Sequence, residues 1–171
     1  SGSFPALDIS VLCAMDAMGI GGVAIPSLGA STYGATIPDF TYLDMEHFLY
    51  EQRLIGQKSA AYSMGGQDDV GREMDPDIVM QIQARMAALG YELIDEPDLA
   101  RNLDLRMALF GEAQCLVNVG GNLLSFGTGS GLTHSPGGII RSLPSGEHAD
   151  GLVQRYVLGG VPVIHLLNMK G

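Results

Sequence analysis

The sequence predicts an α/β fold, built as a single-domain three-layer sandwich with a mostly parallel sheet. Strand-like apolar runs alternate with helical patterns along the 171 residues, and 46% of these residues are hydrophobic, which is enough for a substantial core. Glycines fall at the boundaries between elements, and neither a repeat nor a linker is visible. We therefore expect one domain over residues 1–171.

The first helix is predicted from Pro5 to Gly19, after a turn at Ser1–Phe4. Gly2 can adopt positive φ, the Ser3 hydroxyl can cap a helix, and Pro5 suits a first helical turn. In parallel folds such a turn follows the carboxyl end of a strand. We therefore expect that the first strand lies outside this chain, and a companion chain that carries this N-terminal portion is a possible partner.

The other elements follow from hydrophobic periodicity and from the glycines and prolines between them. Residues 122–146 are rich in Gly, Ser and Pro, which predicts a long loop or lid with a short extended piece at 139–142. We predict strands at 23–28, 58–63, 91–94, 114–119 and 161–167, and helices at 42–54, 76–89, 98–110 and 148–158.

The charge balance argues against nucleic-acid binding. The chain has 19 acidic and 9 basic residues, whereas proteins that bind nucleic acids need clustered positive charge. No apolar run is long enough to cross a bilayer. Cys13 lies in a predicted amphipathic helix and Cys115 in a predicted apolar strand, so we expect packed thiols at both positions rather than a disulfide.

Polar clusters follow several of the predicted strands. Because the carboxyl ends of parallel strands meet at one edge of a sheet, we expect these clusters to line a single crevice. Glycine allows close approach to the backbone, and Ser, Asn and Asp supply hydrogen-bonding groups suited to a carboxylate, a phosphate or an amide. The candidate substrate-binding residues are Gly2, Ser31, Gly65, Gly66, Asp69, Arg72, Asn118, Gly120, Gly121 and Ser125.

A catalytic alternative uses Ser1 or Ser3 as the nucleophile, with Asp44, Glu46 or a histidine assisting. An N-terminal serine could use its own amine as the base. The chain contains neither a Gly-x-Ser-x-Gly motif nor a recognisable triad order, so binding without catalysis is the favoured interpretation.

A metal site is a further alternative, with Asp44, Glu46 and His47 as ligands and His134, His148 or His165 completing the set. The spacing matches no zinc or calcium motif, and Asp44 and Glu46 point to different faces of a helix. We therefore predict no metal, and no motif requires a cofactor. His165 lies in an apolar strand, where a hydrogen-bonded core histidine is the expected role.

Several sequence blocks together resemble the poly-gamma-glutamate system protein family. They are SGSFPAL at 1–7, GASTYGA at 29–35, FTYLDME at 40–46, VNVGG at 117–121 and VPVIHLLN at 161–168. The resemblance implies a component of a bacterial system that makes, exports or attaches poly-γ-glutamate. It also implies a place at the extracytoplasmic face of the cell envelope, with a membrane tether in the full-length protein.

The resemblance suggests a γ-glutamyl polymer or another carboxylate as ligand, and membrane synthase or export components as partners. Two alternatives stay open: a serine-dependent hydrolase or transferase that acts on γ-glutamyl amide bonds, and a non-catalytic assembly scaffold. A net charge of −10 repels a polymer of carboxylates unless Lys58, Arg72 and Arg141 gather locally, helix N-termini assist or a cation mediates the contact.

Overall fold

The computed structural model describes residues 4–29, 37–120, 123–128, 137–146, 148 and 150–167. The chain divides into two compact units, Ser1–Leu109 and Phe110–Gly171, called here the first and second units. Helices and parallel strands occur in both units, so the predicted α/β class is confirmed. The single domain and the three layers stay predictions.

Among its described residues, the first unit contains four α-helices, two short strands and a 3-10 turn at Gln67–Asp69, and the helices and strands follow the predicted order. The strands are shorter than predicted, because regular ladder pairing covers only two residues of each. The elements are α1 (Pro5–Met18), α2 (Tyr42–Glu51), β1 (Ala61–Tyr62), α3 (Pro76–Ala88), β2 (Glu92–Leu93) and α4 (Leu99–Phe110).

The predicted strand at 23–28 is an extended segment that runs parallel to β1. Ser63 N donates to the Pro26 carbonyl and Leu28 N donates to the Ser63 carbonyl, both at 3.0 Å. On its other side β1 pairs in parallel with β2, with Ala61 opposite Glu92. All three chain segments therefore end at the same edge, which we call the carboxyl edge of the first unit.

The helix ends follow the capping signals in the sequence. Pro5 lies in the first turn of α1, and Gly19 ends this helix in the left-handed conformation at φ 67°, which glycine adopts without a steric penalty. Asp75 caps α3 by accepting a hydrogen bond from Asp77 N at 2.9 Å. These signals explain why α1 and α3 begin and end close to their predicted limits.

The core of the first unit lies between its helices and the parallel segments. Residues from α2, β1 and α3 bury their side chains together, and Ile9 of α1 packs against them. Burying aliphatic and aromatic side chains in this way is the main source of stability in such a unit. The buried cluster comprises Leu28, Tyr42, Leu43, Tyr62, Met64, Ile82, Met86 and Tyr91.

The second unit contains a sheet of its own, in the order β3-β5-β4. β3 and β5 are parallel, with Leu116 opposite Val163, whereas β4 runs antiparallel to β5. The single sheet of the prediction is thus replaced, within the described ranges, by two separate sheets. The elements are β3 (Leu116–Val119), α5 (Leu123–Phe126), β4 (Gly138–Ile140), α6 (Leu152–Leu158) and β5 (Val163–Leu166).

The predicted loop at 122–146 contains two of these elements, α5 and β4. β4 overlaps the extended piece that was expected at 139–142, and its pairing with β5 explains why this piece is extended. The role of the segment as a lid stays a prediction.

Two expectations about the surface can be compared with the structure. Cys13 and Cys115 are free thiols, as expected, but both are exposed, so the prediction that they pack in the interior is wrong. Cys13 lies on the outer face of α1, and Cys115 precedes β3 instead of lying in it. Within the described ranges, we find no helix whose length and hydrophobicity would suit a membrane span.

The close packing at the carboxyl edge generates a stability prediction. A Cβ atom on Gly29 would lie 2.6 Å from the Met64 carbonyl oxygen, whereas a Cβ atom on Gly21 would meet nothing within 4 Å. We expect Gly29→Ala to lower the free energy of unfolding by about 1–3 kcal/mol, because backbone must shift. Gly21→Ala should leave it unchanged or raise it by up to about 1 kcal/mol. Urea denaturation followed by circular dichroism would measure both, and equal effects would contradict the packing.

Candidate functional site

The segment that follows β1, Gly65–Arg72, forms a loop with an unusual backbone; we call it the glycine loop. Gly65, Gly66 and Gly71 have φ of 74°, 68° and 68°, and Asp68 and Asp69 have φ of 56° and 62°. Non-glycine residues in this conformation cost on the order of 1 kcal/mol each. Two consecutive aspartates in it must therefore be held by contacts elsewhere.

A buried ion pair supplies that contact. The Asp69 carboxylate Oδ2 lies 2.8 Å from Arg106 Nη2 of α4. The two residues are only 6% and 3% exposed. A charge buried this deeply is tolerated when it is paired and its remaining hydrogen-bonding groups are satisfied.

Three polar residues complete the network around the pair. Asp69 Oδ1 accepts from the hydroxyls of Ser27 and Ser63 at 3.0 and 2.8 Å. Asn102 Nδ2 donates to Asp69 Oδ2 at 3.0 Å, and Asn102 Oδ1 accepts from Arg106 Nε at 2.9 Å. Since Ser27 and Ser63 end two parallel segments, the network ties the glycine loop and α4 to the carboxyl edge.

The groups of this network hold the structure together and are not free to act in catalysis. Both oxygens of the Asp69 carboxylate accept two hydrogen bonds, so this group is not available as a base. The hydroxyl oxygens of Ser27 and Ser63 accept from Arg106 Nη2 at 3.3 and 2.8 Å. A guanidinium keeps its protons at neutral pH, so it does not activate either serine as a nucleophile.

The outer side of the glycine loop presents two exposed hydrogen-bond donors. The Gln67 backbone N–H donates to the Glu73 carboxylate at 2.7 Å, at the surface. Arg72 pairs with Asp68 at 3.2 Å, and their side chains are 58% and 34% exposed. Each of these donors therefore binds a carboxylate of the protein itself, in contact with solvent.

Asp44 takes part in a separate set of contacts. Its carboxylate accepts from the backbone N–H and the hydroxyl of Thr41, which forms a capping box at the start of α2. It also pairs with Arg85 of α3. Asp44 thus fixes the start of α2 against α3.

Glu46 is fully buried and satisfied by neutral donors. It accepts from the hydroxyls of Tyr42 and Tyr91 at 3.1 and 3.0 Å, and from the backbone N–H and hydroxyl of Ser59 at 2.8 and 2.6 Å. Burial and the charge of Glu46 raise the pKa of both tyrosines well above its ordinary range. Burial, with a further contribution from Glu46, raises the pKa of Asp8 to about 7.

In the second unit, a polar chain links the ends of β3 and β5. Asn118 Nδ2 donates to the Gly120 carbonyl at 2.7 Å and lies 3.0 Å from His165 Nδ1, while Ser125 donates to Asn118 Oδ1 at 2.8 Å. A carbonyl can only accept, so the amide nitrogen is the donor and His165 Nδ1 accepts. Burial lowers the pKa of His165, which agrees with its predicted role as a hydrogen-bonded core histidine.

Two of the predicted polar segments approach each other at the carboxyl edge of the first unit, and the crevice itself stays a prediction. Gly29 N donates to the Met64 carbonyl at 2.6 Å, so Gly29 adjoins the start of the glycine loop. Asp44 and Glu46 bind other partners, as described above. Asn118, Gly120 and Ser125 lie in the second unit, and Ser1, Gly2, Ser3, Ser31 and Gly121 lie outside the described residues.

The three basic residues expected to offset the acidic charge have different environments. Lys58 Nζ donates to the Leu89 carbonyl at 3.2 Å and lies 4.6 Å from the centre of the Tyr91 ring. Arg141 is exposed in the second unit. Arg72 lies in the glycine loop itself and is the member of the set that can act there.

Sequence reasoning missed Ser27, Ser63, Asn102 and Arg106. It named Asp69 as a candidate for substrate binding, whereas the structure buries Asp69 in an internal network. One signal was present, since Asn102 and Arg106 are four residues apart and share a helical face with Leu103. All three are buried. A polar pair on the apolar face of a helix indicates a buried network.

Two further features of the described residues bear on possible sites. No group of three His, Cys, Asp or Glu side chains among the described residues could hold a metal ion. An open depression of about 380 Å³ is lined by Tyr50, Glu51, Arg53, Ile55 and Gly56. These residues belong to the end of α2 or to the segment between α2 and β1, before the strand whose far end carries the glycine loop.

Comparisons of this chain with models of protein families, with curated proteins and with solved structures returned no match.

The buried ion pair generates a prediction about neighbouring aspartates. Asp69→Asn or Arg106→Met should each lower the free energy of unfolding by about 3–5 kcal/mol, because each leaves an unpaired buried charge. The free energy of unfolding of the double variant should fall by less than the sum of the two single losses. Asp68→Asn removes a surface ion pair and should cost at most about 1 kcal/mol. Urea denaturation of the four variants tests this, and additive losses would argue against the pairing.

The raised pKa of Asp8 generates a prediction about pH. Between the ordinary pKa and about 7, folded Asp8 retains a proton that the unfolded chain has released, so stability falls as pH rises through this window. Asp8→Asn removes this titration. The free energy of unfolding of the variant, relative to that of the wild-type protein, should therefore rise by roughly 2 kcal/mol from pH 5 to pH 7. Urea denaturation at each pH measures the difference. Asp39→Asn, at an exposed carboxyl, is the control, and equal growth in the two variants would contradict the assignment to Asp8.

Proposed function

We propose that this protein is a non-catalytic component of a bacterial poly-γ-glutamate system, and that it binds carboxylates of the γ-glutamyl polymer at the glycine loop. The observation that carries the proposal is the outer side of this loop. There, the Gln67 backbone N–H and the Arg72 guanidinium each bind a carboxylate at the surface. The link to poly-γ-glutamate comes from the sequence blocks that resemble that family.

The chemistry of the donors suits such a ligand. A γ-linked glutamate polymer carries one free carboxylate on each residue, and a guanidinium with a nearby backbone N–H can bind carboxylates through charge-assisted hydrogen bonds. Each contact is exposed and therefore weak. Affinity for a polymer would come from many repeated carboxylates that rebind at the same loop.

The overall charge of −10 limits this binding and makes it dependent on salt. Arg72 offers local attraction, whereas the surrounding acidic residues repel the polymer at longer range. Salt screens charges separated by more than about 8 Å at physiological ionic strength. Moderate salt should therefore weaken the repulsion more than it weakens the direct contact.

Binding is favoured over hydrolysis by the state of the described acids. The carboxylate oxygens of Asp69 and Glu46 accept hydrogen bonds from groups inside the protein, and the Asp44 carboxylate contacts Thr41 and Arg85. The hydrolase alternative with Ser1 or Ser3 stays a prediction. So do the scaffold role toward membrane synthase or export components, the extracytoplasmic location and the membrane tether.

Isothermal titration calorimetry with a γ-linked glutamate decamer tests the proposal. We expect Arg72→Gln to weaken binding about fivefold, the effect of losing one exposed charge-assisted contact of about 1 kcal/mol. Arg101→Gln is the matched control, because Arg101 is exposed on α4 and its loss changes the net charge equally.

Equal weakening in the two arginine variants would show that net charge alone, and not the glycine loop, attracts the polymer. Absence of binding by the wild-type protein at every salt concentration would refute the proposed function.

A further inference from the structure

The glycine loop carries three acidic neighbours that differ in burial. Asp69 is locked in the interior by Arg106, whereas Asp68 and Glu73 lie at the surface and occupy the two outer donors. We propose that Glu73, assisted by Asp68, is an intramolecular competitor of the ligand, and that it sets the loop to bind multivalent rather than single carboxylates. This inference rests on the proposed function.

The first step of the argument is where the Glu73 carboxylate lies. It accepts the Gln67 N–H at 2.7 Å and covers the Cα atom of Gly66. A Cβ atom on Gly66 would collide with both carboxylate oxygens. The loop backbone therefore provides a seat for a carboxylate, which needs glycine at 66 for its close approach.

The second step is that this contact can be exchanged. Glu73 is exposed, so water competes for its hydrogen bond to Gln67, and this bond holds the Glu73 side chain only weakly. A ligand carboxylate that replaces Glu73 restores the same hydrogen bond to Gln67. The same exchange at Arg72 would release Asp68, whose ion pair is also exposed.

The third step is selectivity. Glu73 is six residues from Gln67 along the chain, and a group tethered this closely acts at an effective concentration in the millimolar range or above. A free monocarboxylate at lower concentration would lose this competition. A polymer presents many carboxylates on one chain and can engage Gln67 and Arg72 together, so it can displace both acids.

The test compares Glu73→Ala with the wild-type protein by calorimetry, using the γ-linked glutamate decamer and, separately, N-acetylglutamine, which has a single free carboxylate. Removing the competitor should raise affinity for the decamer about 3- to 10-fold and should make binding of N-acetylglutamine measurable at millimolar concentration. Glu51→Ala is the control, because it removes an exposed acid at the end of α2. Its affinity should stay within twofold of the wild-type value.

A second measurement does not depend on the ligand. In ¹H–¹⁵N NMR spectra, the Gln67 amide resonance should shift between the wild-type protein and Glu73→Ala, and hardly at all in Glu51→Ala. An unchanged Gln67 resonance would show that Glu73 does not occupy the seat, which overturns the inference.

The outcomes separate the two proposals. If the wild-type protein binds the decamer and Glu73→Ala binds it no more tightly, competition is wrong and the proposed function stands. If Glu51→Ala gains as much as Glu73→Ala, the gain reflects net charge, and competition is again wrong. If neither the wild-type protein nor Glu73→Ala binds the decamer, the proposed function itself fails.

Discussion

The buried ion pair between Asp69 and Arg106 is the constraint on which the carboxyl edge of the first unit depends. It joins α4 to the ends of two parallel segments through Ser27 and Ser63. An unpaired charge at either position would be costly in the interior. The backbone of the glycine loop therefore follows from the need to bring Asp69 to Arg106, even though this places two aspartates in the left-handed conformation.

The same ion pair makes the two aspartates of the glycine loop differ in role. Asp68 and Asp69 are adjacent, yet one contacts solvent and the other is buried. The exposed pair can exchange partners at little cost, whereas the buried pair cannot. A rigid inner side and an exchangeable outer side within one loop are what a reversible binding site requires, because the donors stay in place while their partners change.

Local signals explain which parts of the fold could be predicted. Pro5, Gly19 and Asp75 act within one helical turn, so the limits of α1 and α3 were recognisable from sequence. The place of the glycine loop after β1 followed from strand order. The partner of Asp69 did not, because Arg106 lies 37 residues away and no local pattern links the two. The division into two sheets likewise depends on pairings between distant segments.

The buried carboxylates of Asp69 and Glu46 are stabilised in different ways. As a result, pH is expected to act at a different part of the first unit from the glycine loop. Asp69 faces a guanidinium, so its charge is neutralised where it lies. Glu46 faces hydroxyl and amide donors, and its uncompensated charge contributes to the raised pKa values of Tyr42, Tyr91 and Asp8. A change of pH between 4 and 7 therefore affects the stability of α1, because it changes the charge of Asp8 within this helix.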